Sequence, residues 1–287
     1  MKLPISKKNR ERLNIFLLLL PGVGFIAFFF ISSLMTTVVR SFQMDGVDGY
    51  TIANYSKVLQ PYFLDSILYS IWIGISSAFG SLLFALPLCF LMRNHFRGKH
   101  LLNSLIKIPL FIPALVATFL IVNFLAPHGM MNLILMRLNL IKEPLKLVQD
   151  KYGIGIMIIQ IWKNIPFQML IIMAVMESIN PSLVDAARNL GANRWQVARH
   201  VLIPLSMPGI LVSVILVFIR AYGGFEIPKL AGPVYPIALP VLMHTSITEM
   251  FDWDTGSVVG TVIIISAVIM VAIYSKLAKK IQGGDIV

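Results

Sequence analysis

Amide and ammonium side chains recur along one face of an apolar stretch near the middle of the sequence. Gln160, Asn164 and Gln168 are four residues apart, and Lys163 borders the face that they form. These groups offer hydrogen bonds and one positive charge, but no nucleophile or general base. Polar groups are costly to bury in lipid, so the pattern predicts one of two arrangements. They line a hydrated path, joined by Asn123 on another helix, or they hydrogen-bond helices to one another.

None of the common motifs for a catalytic or metal site is present. There is no G-x-x-x-x-G-K-[ST] phosphate loop, no H-E-x-x-H zinc helix and no G-x-S-x-G nucleophile elbow. The five histidines lie at or beyond the ends of apolar stretches, and no two of them are four residues apart. We therefore expect no enzyme active site in this chain, and no metal or cofactor bound by it.

The composition requires a membrane around most of the chain. Of the 287 residues, 57% are hydrophobic and 13% are charged, and the mean hydropathy is +0.82. A helix needs about 20 apolar residues to cross a bilayer, and six stretches reach that length without a linker or repeat between them. We predict an all-α integral membrane domain of six transmembrane helices, near residues 14–37, 66–92, 108–126, 153–176, 203–226 and 257–275.

The distribution of basic residues predicts the orientation. With the N-terminus in the cytoplasm, 15 Lys and Arg residues fall in inner segments and six in outer segments. The inner segments are 1–13, 93–107, 178–202 and 276–287, and the outer segments are 43–65, 127–152 and 227–256. This positive-inside bias accounts for the net charge of +11 without a nucleic-acid partner. The predicted organisation is a cytoplasmic segment 1–13, a six-helix domain 14–280 and a cytoplasmic tail 281–287.

A polar segment with the features of two short helices lies between the fourth and fifth predicted spans. Residues 180–182, Asn-Pro-Ser, are typical of a helix start, and apolar residues recur at helical spacing from Leu183 to Leu190. Gly191 interrupts this pattern, and an apolar stripe resumes at Trp195. The segment spans residues 178–204. Its pattern predicts an ordered helix-turn-helix on the membrane surface.

This segment carries a recognisable signature. It reads DAARNLGANRWQVARHVLIP from Asp185 to Pro204, and this resembles the E-A-A-x(3)-G-x(9)-I-x-L-P signature of the permease subunits of bacterial ATP-binding-cassette (ABC) importers. Asp185, Val201 and Ile203 stand where Glu, Ile and Leu are usual. Residues 161–167 (IWKNIPF), the six spans and the position of the motif between spans four and five also resemble that family. The resemblance covers nearly the whole chain, and residues 178–204 are named the coupling loop after the role that it implies.

The resemblance implies the type I ABC importer permease fold, with a cytoplasmic coupling helix that inserts into a groove of a separate ATPase subunit. Small alanines would allow close approach, a positive φ at glycine would allow the turn, and arginines would offer charge. The implied coupling residues are Asp185, Ala186, Ala187, Arg188, Gly191, Arg194 and Pro204. The alternative is an amphipathic loop whose arginines lie on the anionic lipids of the inner leaflet.

The resemblance also implies an assembly in the bacterial cytoplasmic (inner) membrane, with both termini of this multi-pass chain in the cytoplasm. The implied partners are a second permease, identical or homologous, two cytoplasmic ATPase subunits and an extracytoplasmic solute-binding protein. ATP and Mg would be bound by the ATPase subunits and not by this chain. The acidic outer segments 43–65 and 249–254 are either docking surfaces for the binding protein or a solvated rim.

The fifth predicted span ends in a sequence that does not favour a continuous helix. Gly223 and Gly224 are followed by Pro228, which predicts a break near the outer end of the span. Irregular backbone at membrane depth is tolerated where it lines a cavity or is buried in protein. Arg220, Tyr222 and Glu226 therefore join the candidate pathway residues, and Arg220 and Glu226 either pair with each other or meet solute.

Short runs in the outer half bear on the solute. Residues 224–233 (GFEIPKLAGP) and the later Asp252-Trp253 look most like the branch of the family that handles polyamines, ferric iron and phosphonates. A sugar-type ABC permease is the alternative within the family. A secondary transporter would more often show inverted repeats or acidic residues deep in the membrane. A purely structural scaffold would need neither the glycine-hinged loop nor the polar face.

Overall fold

The computed structural model describes residues 7–44 and 47–283, and most of these residues are helical. The helices in chain order are α1 (Lys7–Ser41), α2 (Pro61–Arg93), α3 (Lys99–Phe111), α4 (Ala114–Leu125), α5 (Met130–Arg137), α6 (Ile154–Ser178), α7 (Pro181–Asn189), α8 (Arg194–Val197), α9 (Ile203–Tyr222), α10 (Glu226–Ala231), α11 (Leu239–Thr248) and α12 (Trp253–Gly283). A 3-10 helix (Ala53–Leu59) precedes α2, and a π-helical turn (Ala198–Leu202) joins α8 to α9. Two short antiparallel strands, β1 (Gln43–Met44) and β2 (Val47–Tyr50), form a hairpin after α1, which the sequence pattern did not predict.

Six helical segments of the described chain are long and apolar enough to cross a bilayer, which confirms the predicted number. They are Leu18–Ser41, Pro61–Arg93, Ala114–Arg137, Ile154–Ser178, Arg194–Tyr222 and Trp253–Lys279. Residues 1–6 of the predicted N-terminal segment, residues 284–287 of the predicted tail and Asp45 of the outer segment 43–65 lie outside the described residues.

The third span differs from the prediction of a helix over 108–126. The chain breaks between α3 and α4, where Ile112 is extended (φ −85°, ψ 123°) and Pro113 precedes the first residue of α4. Proline donates no backbone N–H and disfavours helical backbone in the residue before it. The break therefore follows from Pro113, and the apolar span runs instead from Ala114 through α5.

The centre of the fold is the packing of α2, α6 and α9 on one another. Glycines bring these helices close together. A Cβ atom on Gly209 of α9 would lie 2.7 Å from Val175 Cγ2 of α6, and one on Gly80 of α2 would lie 2.5 Å from Ile161 Cδ1. Association in lipid depends on such close van der Waals packing between helices. The three central helices thus hold the polar face of α6 and both ends of the coupling loop in place.

Candidate functional site

The coupling loop begins with a well-capped helix. The side chain of Asn180 accepts a hydrogen bond of 3.0 Å from the backbone N–H of Ser182, and Pro181 occupies the first turn of α7. An Asn cap satisfies an otherwise unpaired N–H, and proline fits the first turn because no intrahelical N–H is required there. The start predicted from residues 180–182 is therefore the one observed.

Gly191 ends α7 by turning the chain into the left-handed region, with φ +87°. The N–H of Gly191 donates to the carbonyl of Arg188 at 2.9 Å, and that of Ala192 donates to Ala187 at 3.0 Å. A Cβ atom at Gly191 would meet no other atom within 4 Å. The requirement for glycine is therefore one of backbone conformation and not of space.

The second half of the loop runs without a break into the fifth span. Asn193 and Gln196 form a reciprocal capping box, with hydrogen bonds of 2.9 and 2.8 Å between side chain and backbone N–H. Helix α8 then passes through the π-helical turn into α9. Pro204 has no N–H to donate to the carbonyl of His200, and its ring would crowd that carbonyl in a regular α-helix. The wider π-helical turn gives the proline ring the space that it needs. A displacement of α8 would consequently reach α9 directly.

The two faces of α7 have different environments. Val184 is buried together with Ile179, Val197 and Leu202, against Phe90 of α2. On the opposite side of the helix from Val184, Leu183 is 48% exposed and Leu190 is 90% exposed. The sequence pattern placed Leu183 and Leu190 on the same apolar stripe as Ala186 and Ala187, and the structure leaves the two leucines uncovered. Trp195 of α8 is likewise 67% exposed.

The face of α7 that meets α2 borders a cleft of about 430 Å³. Its charged or titratable lining residues are Arg93, His95, Asp185, Arg188 and Arg194. Three of the predicted coupling residues thus lie together on the α2 side of the loop. Arg93 was not identified from the sequence, although its position as the last residue of a span, ahead of a basic segment, was a usable signal.

The other predicted coupling residues are placed differently. Ala186 and Gly191 are exposed, and Ala187 is partly buried against the apolar cluster of the loop. Pro204 is exposed in the first turn of α9. The residues of the signature therefore lie in two places. Some line the basic cleft beside α2, and others lie at the turn of Gly191, near the exposed apolar side chains.

The amides of α6 make contacts between and within helices. Ser81 of α2 donates a hydrogen bond of 2.6 Å to Gln168 Oε1, and both side chains are buried. Asn164 Nδ2 donates to the backbone carbonyl of Gln160 at 2.8 Å and to its Oε1 at 3.2 Å. In the single chain this face is largely satisfied internally, as in the hydrogen-bonding alternative.

Lys163 contacts the break between α3 and α4. Its Nζ atom donates hydrogen bonds to the carbonyl oxygens of Pro109 (3.1 Å) and Ile112 (2.6 Å). The charges of Arg220 and Glu226 both act on Lys163, so the three groups lie near one another. This group of two basic side chains and one acidic side chain lies beside the predicted polar face.

The remaining pathway candidates have local partners. The guanidinium of Arg220 lies 4.4 Å above the ring of Phe167, and within the described chain it forms no ion pair with Glu226. Tyr222 is buried and hydrogen-bonded to Ser266 of α12. Asn123 is exposed, and its Nδ2 donates to the carbonyl of Phe119 at 2.7 Å. The helix ends after Tyr222, at the glycine pair where a break was predicted.

The outer segments are held to one another by ion pairs and hydrogen bonds that sequence reasoning did not anticipate. Lys57 pairs with Asp252 at 3.4 Å and donates to Thr255 at 2.6 Å, whereas Lys229 pairs with Glu249 at 2.5 Å. Partial burial raises the pKa of Asp252, but hydrogen bonds from Thr255 and the charge of Lys57 outweigh it and place that pKa below its ordinary value. The hydrogen bond from Lys229 lowers the pKa of Glu249.

Comparisons with known proteins agree with this architecture. A family model described as "Binding-protein-dependent transport system inner membrane component" matches residues 70–281. The spermidine/putrescine transport system permease protein PotB of Haemophilus influenzae is 26% identical over 88% of this chain and 90% of its own length. The sulfate transport system permease protein CysT of Escherichia coli is 24% identical over 90% and 92%.

A solved structure shows the same fold. It is a chain of a bacterial alginate ABC transporter in complex with an alginate pentasaccharide-bound periplasmic protein. The TM-score is 0.81 at 19% identity, and the alignment covers 98% of this chain and 99% of the other. The helix order and connections of the present chain are therefore those of this fold.

Proposed function

The chain belongs to the family of inner-membrane components of binding-protein-dependent transport systems, and from that premise we propose how its parts work together. It is a multi-pass inner-membrane permease subunit of an ABC importer, and ATP hydrolysis belongs to partner subunits. We propose that it pairs with a second permease, homologous or identical, with the solute path between them. Two ATPase subunits, holding ATP and Mg, bind from the cytoplasm, where both termini of this chain lie.

The exposed apolar side chains of the coupling loop carry this proposal. Leu183, Leu190 and Trp195 are uncovered on an otherwise polar and basic segment. Exposed apolar groups of this kind, a tryptophan among them, are typical of surfaces that a partner protein covers. The exposed face of the loop, on the side of α7 away from the cleft, is therefore the docking surface for the ATPase. The positive-inside bias supports the cytoplasmic placement of that face.

The geometry of the loop supports a route for the mechanical signal. The two capped helices and the turn at Gly191 form a compact unit, and α8 continues through the π-helical turn into α9. Closure of the ATPase subunits on ATP displaces this unit and hence α9. Helix α9 ends at Tyr222, beside the break at Gly223-Gly224. The displacement opens the outward face of the path to solute delivered by the binding protein, and hydrolysis resets it.

We propose a small polar or charged solute of the polyamine, ferric iron or phosphonate type. The polyamine class is supported by the permeases of spermidine/putrescine systems among the relatives. A second candidate is an oxyanion. It is favoured by Lys163 and Arg220, which lie near one another with a single acid, Glu226, close by. The sulfate permease among the relatives supports the same class.

The coupling proposal is tested by reconstituting the permease in liposomes with its co-expressed partners and measuring solute-stimulated ATPase activity. We expect Gly191→Asp or Ala187→Asp to abolish stimulation while the complex still assembles, because each adds a negative charge to the coupling loop. Gly98→Asp is the matched control, because Gly98 also has a positive φ (+88°) and open space around it, but lies in the other cytoplasmic loop. If transport and stimulation survive both loop substitutions, the assignment is wrong.

The solute class is tested in the same liposomes. Spermidine, ferric iron, a phosphonate, sulfate and a neutral sugar are each supplied with the co-expressed binding protein. Stimulation by spermidine alone supports the polyamine class, and stimulation by ferric iron alone or phosphonate alone supports another member of the type proposed first. Stimulation by sulfate alone supports the second candidate. Stimulation by the sugar alone would contradict both.

A further inference from the structure

The basic cleft between the end of α2 and the coupling loop lies on the side of α7 away from the exposed Leu183 and Leu190. It contains Arg93, Arg188 and Arg194, with His95 at the same site and Asp185 as its single acidic lining residue. Among the described residues none of these arginines forms an ion pair with Asp185. The cleft therefore holds an excess of positive charge that the chain itself does not neutralise.

Arg93 shows where the missing group would bind. Its Nη1 atom is buried and has no hydrogen-bond partner within the described chain. The charge of Arg188 acts on Arg93 with the same sign. A buried donor without an acceptor is costly, and two like charges near each other add to that cost. An anion between the two guanidinium groups would supply the acceptor and remove the repulsion.

The remaining lining narrows the chemistry of this anion. Phe90, Val184, Val197 and Leu202 give the cleft an apolar floor beneath its basic rim. The guanidinium groups of arginine match the geometry of phosphate oxygens. A free inorganic ion would gain nothing from contact with the apolar side chains of the floor. A ligand with a phosphate group and an attached apolar part satisfies both halves of the site.

The position of the cleft indicates the source of such a ligand. Arg93 is the last residue of the second span, so its guanidinium lies where a membrane helix emerges at the lipid headgroups. The inner leaflet is rich in anionic phospholipids, which attract clusters of Lys and Arg. This placement rests on the cytoplasmic orientation proposed above.

We propose that the cleft binds the phosphate of an anionic phospholipid headgroup from the inner leaflet, between Arg93 and Arg188. The residues of α7 that line it, Pro181, Val184, Asp185 and Arg188, lie on the face opposite Leu183 and Leu190. Lipid and ATPase therefore occupy opposite faces of the same short helix. The lipid fixes the loop against the end of α2 while the other face remains available for docking.

The test measures lipid binding to the detergent-purified transporter complex by native mass spectrometry. Phosphatidylglycerol and phosphatidylcholine are titrated separately, and inorganic phosphate is added as a competitor in a third arm. The variants are Arg93→Gln and Arg188→Gln, with Arg93→Lys as a charge-preserving change. Arg199→Gln is the control, because it removes the same charge from an exposed residue of the loop that does not line the cleft.

We expect tight binding of phosphatidylglycerol over phosphatidylcholine and a Kd raised about tenfold or more in Arg93→Gln and Arg188→Gln, the usual loss for a charge-assisted hydrogen bond. Arg93→Lys should be intermediate, because it keeps the charge without the fork. Arg199→Gln should bind as the wild type does. Melting temperatures of all variants report whether they fold.

Equal phosphatidylglycerol binding by Arg93→Gln and Arg199→Gln would overturn the proposal. Displacement of the lipid by inorganic phosphate alone would overturn the lipid assignment in favour of a free anion. The lipid measurement does not depend on transport. If binding depends on Arg93 but no solute stimulates the ATPase, the proposed function fails and the lipid site stands.

Discussion

Lys163 of α6 donates a hydrogen bond of 2.6 Å to the backbone carbonyl of Ile112, the extended residue between α3 and α4. The break at Pro113 leaves carbonyl oxygens without helical partners, and such groups need other hydrogen-bond donors. The ammonium of Lys163 donates a hydrogen bond to each of the carbonyl oxygens of Pro109 and Ile112. A charged side chain that looks like part of a solute path therefore also stabilises the fold.

Lys163→Met should lower the free energy of unfolding by about 1–3 kcal/mol, because it keeps the length of the side chain and leaves the carbonyls of Pro109 and Ile112 without a donor. Denaturant unfolding in detergent micelles measures the effect. Lys142→Met, at an exposed position of the outer loop, is the control and should change stability little. Equal stability of the two variants would mean that the hydrogen bonds of Lys163 contribute nothing.

Substitutions at Gly191 should rank by their tolerance of positive φ. With open space around the position, Gly191→Asn should retain most of the solute-stimulated ATPase activity, since asparagine is enriched in the left-handed region. Gly191→Val should lose most of it, since a β-branched residue is strongly disfavoured there. The reconstituted complex gives both values, and similar losses in the two variants would point away from backbone conformation as the cause.

Close helix packing at Gly209 should resist even a methyl group. In Gly209→Ala the new Cβ would lie 2.7 Å from Val175 Cγ2, and the stiff β-branched side chain of Val175 cannot turn away easily. We expect a loss of about 1–3 kcal/mol from overpacking. Gly24→Ala is the matched control, because nothing lies within 4 Å of its Cβ position. Comparison of melting temperatures checks the difference, and a loss at Gly24 as large as that at Gly209 would contradict it.

The ion pair of Asp252 should make stability depend on pH in the acidic range. The folded pKa of Asp252 lies below the ordinary value of 3.8, so its contribution is fully present above that value and is lost as the pH falls through the folded pKa. The melting temperature of Asp252→Asn should therefore lie below that of the wild type at neutral pH, and the gap should close in strong acid. Persistence of the gap in strong acid would show that charge is not the cause.

Short-range patterns predicted much of the coupling loop. The capped start at Asn180, the turn at Gly191 and the end of α9 at the glycine pair all depend on residues within one or two turns, so the sequence contains the whole cause. Hydropathy predicted the number of spans for the same reason. The third span was misplaced because Pro113 lies inside the predicted stretch 108–126 and breaks it, and because α5 extends the apolar span beyond residue 126.

Contacts between segments that are distant in the chain could not be predicted from the sequence. The choice between Val184 and Leu183 as the buried residue of α7 depends on the position of Phe90 in α2, more than ninety residues earlier. The partner of Gln168 is Ser81, and that of Lys57 is Asp252. Apolar spacing marks a helical stripe, but it does not say which neighbour will cover it.

The sequence by itself determined the membrane class, six spans, the orientation bias and the glycine-hinged loop, because each follows from composition or from residues close together in the chain. Only the tertiary structure decided that Arg93 and Arg188 line one cleft and that Lys163 donates hydrogen bonds to the carbonyls at the break between α3 and α4. It also decided that Leu183 and Leu190 remain uncovered. These outcomes depend on how α2, α6 and α9 pack, and the packing brings together side chains that no local pattern relates.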